Sequence, residues 1–234
     1  MNSFVHYDGP SNEPVLGLFL PTERMVLDLG CGAGSNARVL RERGLVVHGV
    51  TASSSEKVSA QRWCERVFVH DLELGLPPEL EANYDVVLAS HVLEHLRQPD
   101  VLLRDIRRIL GAGRLIVAIP NVLFYKNRAA LARGRVEYQD AGLMDKTHYK
   151  WYTFDSCARL LEANGFRIER RVADGSGPLG PIRKILPLRA SERFDQLCCR
   201  LIPGLFGYQL IFVAREAEDR SCRYEGHGNG GAGP

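Results

Sequence analysis

The sequence feature that most constrains the fold is a short apolar run that ends in closely spaced glycines. Residues Met25 to Leu29 read Met-Val-Leu-Asp-Leu, and Gly30, Gly32 and Gly34 follow at once. Such a run is typical of a strand buried on both faces of a parallel sheet. Because glycine tolerates positive φ, the run predicts a strand that ends in a tight turn before a helix. A turn of this kind brings backbone N–H groups and a positive helix end close to a ligand.

Strand and helix patterns alternate along the rest of the chain. Strand-like runs follow at 45–50, 66–70, 84–89, 114–119, 166–172 and 207–215. Helical spacing is found at 35–43, 54–64, 99–110 and 154–164. This alternation predicts an α/β fold with a mostly parallel, doubly wound sheet.

Two segments break this rhythm. Residues 121–152 hold a predicted helix at 122–132 and a loop rich in aromatic and polar residues, and residues 174–206, rich in proline and glycine, are expected to be irregular. We expect one domain over 1–215, in which these two insertions form a small cap. Residues 216–234 have nothing to bury and predict a flexible tail.

Composition excludes several classes of protein. The net charge is only +2, which gives no extended field for nucleic acid. The six cysteines form no C-x-x-C pair, so a zinc ribbon is not predicted. No run approaches the ~20 apolar residues of a membrane-spanning helix, and residues 1–14 lack the pattern of a signal peptide. We expect a soluble, cytoplasmic protein with no nucleic-acid partner and no membrane insertion.

The spacing of the glycines argues against a dinucleotide site. Ser35 stands where the dinucleotide fingerprint has its third glycine, and Asp28 lies inside the strand, two positions before Gly30. The alternative to a ligand-binding site is a glycine turn that only packs a helix on a strand.

The signature Val-Leu-Asp-Leu-Gly-Cys-Gly-Ala-Gly at 26–34 resembles the class I methyltransferase superfamily, and the likeness extends over about residues 25–172. The resemblance implies a Rossmann-like sheet of order 3-2-1-4-5-7-6, with cap insertions after strand 5 and before strand 7. It also implies S-adenosyl-L-methionine as the cofactor and methyl transfer as the activity.

The same resemblance implies roles for particular residues. Asp28 would contact the methionine end of the cofactor, Gly30 and Gly32 would let it pass, and Asp71 would bind the adenine amino group. The full set of candidate cofactor-binding residues is Tyr7, Asp28, Gly30, Gly32, Thr51, Ser53, Asp71, Leu72, Ser90 and His91.

One departure from the family lies at the end of the second strand. The acid that usually holds the ribose hydroxyls is replaced by Thr51, and the next carboxylate is Glu56. A neutral hydroxyl can still hydrogen-bond ribose, but more weakly than a carboxylate.

The segment from His91 to His95 also matches the metalloprotease string H-x-x-E-H. That string needs a long helix, whereas here it follows a strand. Some superfamily members bind a divalent cation through E-x-x-E-H, but His91 replaces the first acid. We predict no metal.

Methyl transfer to a hydroxyl needs alignment and a base for the departing proton. The catalytic candidates are His148, in the string from Lys146 to Phe154, and His95. Each could instead brace its loop through hydrogen bonds.

The region from Pro120 to Thr153 is similar to a narrower group of bacterial glycan and natural-product methyltransferases, related to the methionine-biosynthesis methyltransferase-like protein. Residues 121–136 hold four cations and no acid, which suits an anionic acceptor. The candidate substrate-binding residues are Asn121, Lys126, Arg128, Tyr149 and Lys150.

These features predict methylation of a hydroxyl on a sugar or sugar-containing metabolite, phosphate-linked ones included. The alternatives are C- or N-methylation of a natural product, and a non-catalytic protein that keeps the fold and partners another enzyme. The sequence leaves the oligomeric state open.

Overall fold

The computed structural model describes residues 9–80, 83–140 and 142–217. Tyr7 and residues 218–234 of the predicted tail lie outside the described residues. The strands are β1 (Met25–Leu29), β2 (Val46–Thr51), β3 (Arg66–Val69), β4 (Val86–Ser90), β5 (Arg114–Pro120), β6 (Phe166–Gly175) and β7 (Gly207–Glu216).

The α-helices are α1 (Glu13–Leu16), α2 (Ser35–Glu42), α3 (Ser54–Ala60), α4 (Pro99–Leu110), α5 (Tyr125–Ala132), α6 (Phe154–Ala163), α7 (Leu188–Leu201) and α8 (Pro203–Phe206). Short 3₁₀ turns cover Leu72–Leu74, Leu93–His95 and Gly180–Lys184. The helix predicted at 54–64 is therefore shorter, and the one predicted at 122–132 begins three residues later.

The strands form one sheet in the order β3-β2-β1-β4-β5-β7-β6, which confirms the predicted topology. β1 pairs in parallel with β2 and β4, whereas β7 runs antiparallel to β5 and β6. The carboxyl ends of the parallel strands and the amino end of β7 therefore meet at one edge, where ligands bind in folds of this type.

Both faces of the sheet are covered. Successive β1 residues Val26 and Leu27 are fully buried and belong to different core clusters, one on each face. α4 places Leu102, Leu103 and Ile106 on one of those faces. Burying a side chain of this size contributes about 1.5–3 kcal/mol, so β1 is held rigidly where the glycine turn begins.

The prediction of irregular structure across 174–206 is wrong for α7. Pro187 lies directly before this fourteen-residue helix and Pro203 follows its end, and no proline or glycine interrupts it. Proline is tolerated at helix starts and disfavoured within them, so these residues set the boundaries of α7.

α7 and α8 connect β6 to β7 and therefore lie near the carboxyl-end edge, as does α5 after β5. The insertions contact each other: the Arg128 guanidinium donates to the Gly204 carbonyl at 3.2 Å, and the rings of Tyr125 and Phe206 are 5.9 Å apart. Within the described residues, no helix is long and apolar enough to cross a membrane.

Candidate active site

The glycine turn after β1 has the backbone that its sequence requires. Gly30, Gly32 and Gly34 have φ of 67°, 52° and 91°, values that side-chain-bearing residues rarely adopt. A Cβ on Gly30 would lie 2.9 Å from Cγ2 of Val92, so the Val92 side chain also packs closely against the turn. α2 begins at Ser35, directly after the turn, and its N–H groups point towards the same edge.

Asp28 is buried at the end of β1, and its Oδ2 has no hydrogen-bond partner among the described residues. Burial raises the pKa of this carboxyl to about 7. A buried acceptor without a partner costs about 1–3 kcal/mol, more if it is charged. A cationic ligand group beside Asp28 would relieve that cost, which fits the ammonium of the cofactor's methionine end.

The side chain of Glu56 places a carboxylate at the end of β2. The Thr51 hydroxyl donates a short hydrogen bond to Oε2 of Glu56, and both residues are buried. Ser53 caps the start of α3, and its hydroxyl accepts the Glu56 N–H at 3.4 Å. A carboxylate from the first turn of α3 therefore lies beside Thr51, although the sequence has no acid at position 51.

Three further candidate cofactor-binding residues lie at neighbouring strand ends. The exposed Asp71 lies just after β3 and caps a 3₁₀ turn, where its Oδ1 accepts the Glu73 N–H at 3.0 Å. Leu72, next to it, is buried. Ser90 ends β4, and its hydroxyl accepts a hydrogen bond from the Asn12 amide at 3.0 Å.

His91 has a strained backbone. Its φ is 56°, which is unusual for a residue with a side chain and occurs often at functional sites. Its Nδ1 lies 3.2 Å from Oε1 of Glu94 and its Nε2 lies 3.2 Å from Oε1 of Gln209. Although burial lowers the pKa of His91, these hydrogen bonds outweigh it and raise the pKa above its usual range.

Glu94 joins the loop after β4 to the loop before α6. Its side chain is fully buried, and its Oε2 has no partner among the described residues. Its carbonyl accepts the N–H groups of Tyr149 and Lys150 at 2.9 and 3.1 Å. The segment that carries His148 is therefore fixed against the β4 end.

A chain of hydrogen bonds orients His95. The buried Asp145 accepts the Thr147 hydroxyl at 2.7 Å, and that hydroxyl lies 3.0 Å from Nδ1 of His95. Although burial raises the pKa of Asp145, the hydrogen bonds from Thr147 outweigh it and lower the pKa below its usual range. The loop-bracing role considered for His95 thus has direct partners in the structure.

His148 lies beside His95, with their ring centroids 4.8 Å apart and tilted by 65°. Its Nδ1 is buried and has no hydrogen-bond partner among the described residues. Burial, opposed by the nearby Glu94, lowers the pKa of His148 below its ordinary value of 6.5. A lowered pKa favours the neutral imidazole, the form that a general base requires.

Glu94, His95 and His148 could also be considered as metal ligands. Their ligand atoms lie within 4.8 Å of one another. Two donors on one zinc ion, each at about 2.1 Å, are at most about 4.2 Å apart, so the three side chains would have to close around an ion. The absence of a metal stays a prediction.

The substrate-binding candidates lie along the same edge in different settings. The Asn121 amide is fully engaged, donating to the carbonyls of Gly204 and Gly207 and accepting from Leu123. Lys126 and Arg128 are exposed on α5. Tyr149 is exposed, with the Arg97 guanidinium 4.7 Å from its ring centroid, and Lys150 is half-buried.

The geometry agrees with what comparisons with known proteins show. A family model described as a methyltransferase domain matches residues 7–170. The chain belongs to this methyltransferase family. S-adenosylmethionine-dependent methyl transfer is the activity of the class, and the unpartnered Asp28 and the glycine turn fit the cofactor.

Individual relatives are distant. The methyltransferase is 27% identical over 155 residues to an uncharacterized methyltransferase of Geobacillus thermodenitrificans, covering 62% of this chain and 70% of that one. It is 28% identical over 162 residues to a ubiquinone biosynthesis O-methyltransferase of Nitrobacter winogradskyi, covering 66% and 61%. A SAM-dependent methyltransferase structure from Archaeoglobus fulgidus superposes with a TM-score of 0.60 at 20% identity, covering 87% and 90%, which shows the shared fold.

Two features of the site were missed from the sequence. Glu56 had a signal, because Ser53-x-x-Glu56 has the spacing of a capping box, whose glutamate turns back towards the helix start. The second is a polar network at the sheet edge. There the Gln209 amide donates to Asn12 and Asp174 at 3.0 and 3.1 Å. No local sequence pattern predicts hydrogen bonds between residues that are so far apart in the chain.

Proposed function

We propose that this methyltransferase methylates a hydroxyl of a sugar or sugar-containing metabolite, and that an anionic group such as phosphate is part of the acceptor. The observation that supports it most is the histidine pair, His95 and His148, held beside the end of β4. His95 is hydrogen-bonded to Thr147, whereas burial lowers the pKa of His148.

The cofactor is proposed to lie along the ends of β1 to β4. Asp28 would take the ammonium, Gly30 and Gly32 would leave room for the methionine portion, and Asp71 would take the adenine amino group. Thr51 and Ser53, backed by Glu56, would face the ribose. When bound, S-adenosylmethionine supplies an electrophilic methyl group on a sulfonium.

The residues of the acceptor half would align the hydroxyl and remove its proton. The His148 imidazole would accept the proton of that hydroxyl as its oxygen takes the methyl group, and S-adenosylhomocysteine would be the leaving group. The products would be a methyl ether, S-adenosylhomocysteine and an imidazolium. His95, oriented through Thr147 and Asp145, would hold the loop in place for this step.

The proposed anionic acceptor is supported by α5. Lys126 and Arg128 are exposed there, and Arg128 donates to the backbone carbonyls of Leu123 and Gly204. Such cations, close to the carboxyl-end edge, suit a phosphate or carboxylate.

The test is turnover of the purified chain on matched acceptors: a free sugar, the same sugar linked to a nucleotide diphosphate, and the same sugar linked to a lipid phosphate. We expect O-methylated product, with kcat/KM higher for the phosphate-linked acceptors. Lys126→Gln should reduce that preference, whereas Arg104→Gln, an exposed cation on α4, should not. Methylation only of amine or carbon nucleophiles would contradict the proposal.

A further inference from the structure

The outer face of α7 carries apolar side chains that the described residues leave exposed, in the case of Phe194 only in part. Ala190, Phe194, Leu197 and Leu201 recur at the spacing of a single helix face, and all four are exposed. Leu201 is 69% exposed. The opposite face of α7 packs inwards through Ser191 and Cys199. α7 therefore presents an apolar stripe to solvent. Such a stripe differs from the single scattered apolar residues that are normal on a protein surface.

The 3₁₀ turn that precedes α7 extends this apolar surface. Ile182 lies in this turn and Ile185 directly after it, and both are exposed, Ile185 by 82%. The turn is fixed to α7, because the Arg183 guanidinium makes two hydrogen bonds of 2.7 Å to the Asp195 carboxylate. Asp195 also accepts the Gly177 N–H at 2.8 Å. The exposed isoleucines are thus held by a well-ordered connection.

Cations flank the apolar stripe on one side. By helical periodicity, Arg189, Arg193 and Arg200 lie along one side of α7, next to the apolar stripe. Lys184 precedes the helix. Within the described parts of the chain, none of these four has a carboxylate within 4.0 Å. Apolar side chains beside a row of cations are the pattern of helices that lie in a membrane interface.

Charge is concentrated in the two cap segments. The cap insertions, residues 121–152 and 174–206, together hold eleven cations and six carboxylates, a net charge of +5, while the whole chain has only +2. The remaining residues therefore sum to −3. The excess positive charge of the protein thus lies in the cap near the active-site edge.

From this arrangement we propose that the 180–202 segment docks on an anionic membrane surface, with the α7 stripe and Ile185 at the level of the headgroups. The acceptor would then be a lipid-linked one, presented at that surface. This last step rests on the proposed function, whereas the docking does not. A second copy of the chain is a poorer occupant, because a symmetric interface would bring one positive face against another.

The test is co-sedimentation of the full chain with vesicles of phosphatidylcholine, with and without phosphatidylglycerol. Binding is expected only to the anionic vesicles, and it should weaken as salt rises. Lys184→Gln with Arg189→Gln should weaken it by about fivefold for each cation removed. Ile185→Ser with Leu201→Ser should weaken it by about tenfold or more.

Matched controls are Arg104→Gln, an exposed cation on α4, and Val46→Ser, an exposed apolar residue at the start of β2. Neither should change vesicle binding, and none of the six substitutions should change the affinity for S-adenosylhomocysteine. No binding to anionic vesicles, or self-association that the Leu201 variant abolishes, would overturn the proposal. Vesicle binding without turnover on any glycosyl acceptor would leave the docking intact and refute the proposed acceptor.

Discussion

The two halves of the carboxyl-end edge hold their functional groups by different means. In the half proposed to bind the cofactor, Asp28, Thr51 and the glycine turn belong to strand ends or follow them directly, so the buried sheet itself fixes them. In the half proposed to bind the acceptor, His95 and His148 lie in a 3₁₀ turn and a loop, and hydrogen bonds through Glu94, Asp145 and Thr147 position them. We therefore expect substitutions in the first half to change affinity and those in the second to change rate.

The largest effect is expected for Gly32→Val. A side chain in the turn would occupy the space of the methionine portion, and the loss should be at least about 100-fold in affinity for S-adenosylhomocysteine. Calorimetry measures this, and thermal unfolding checks that the chain remains folded. Gly44→Val is the matched control, because Gly44 also has a positive φ, 85°, but lies away from the site. Equal losses for both variants would mean that backbone strain is the cause.

The next effect is expected on rate. His148→Ala should lower kcat by ~10²–10⁴-fold with the affinity for S-adenosylhomocysteine almost unchanged, because a general base acts only on the acceptor. His95→Ala is the comparison: a bracing histidine should reduce stability or cofactor affinity together with rate. If the two variants behave alike, the distinction between these histidines is wrong.

A smaller loss is expected at Asp71. Asp71→Ala should weaken the binding of S-adenosylhomocysteine by roughly 1–3 kcal/mol, the range for a hydrogen bond to a charged group. At saturating cofactor, kcat should stay close to that of the parent chain. A large fall in kcat at saturation would mean that the cofactor half also controls the chemical step.

The smallest effect is a dependence of cofactor affinity on pH. Burial raises the pKa of Asp28 to about 7, so below this pH the carboxyl is protonated and cannot pair with an ammonium. Affinity for S-adenosylhomocysteine should therefore fall as pH drops below 7, by up to about tenfold per pH unit. Asp28→Asn should bind weakly at every pH, with that dependence removed. A flat profile in the parent chain would show that Asp28 does not contact the ammonium.

The same contrast explains what the sequence could predict. The apolar run at β1 and the glycines after it are local signals, and the strand and turn that they predicted were confirmed. The strand order, which the family resemblance implied, was confirmed as well. The contacts of the acceptor half are not local. Glu94 meets Tyr149 and Lys150 only because two loops converge. Asn121 bonds to Gly204 and Gly207, which are 83 and 86 residues away in the chain.

α7 shows a different limit. The prolines and glycines of 174–206 suggested irregular structure, but they are confined to the ends of the segment and leave 188–201 free to form a helix. The number of prolines and glycines in this segment misleadingly indicated irregular structure, whereas their positions marked the ends of the helix. Glu56 is similar, since its capping spacing was visible but its contact with Thr51 depends on the end of β2.

The most direct test of the division between the halves is the pH profile of kcat at saturating cofactor, for the parent chain and for His148→Ala. In the parent chain kcat should fall on the acidic side, with a midpoint below the ordinary histidine pKa of 6.5, because burial lowers the pKa of His148. The sign follows from the mechanism: protonation removes the base, so activity is present above that pKa and lost below it. In His148→Ala the residual rate should have no such limb. A near-normal rate with an unchanged acidic limb in the variant would contradict the account.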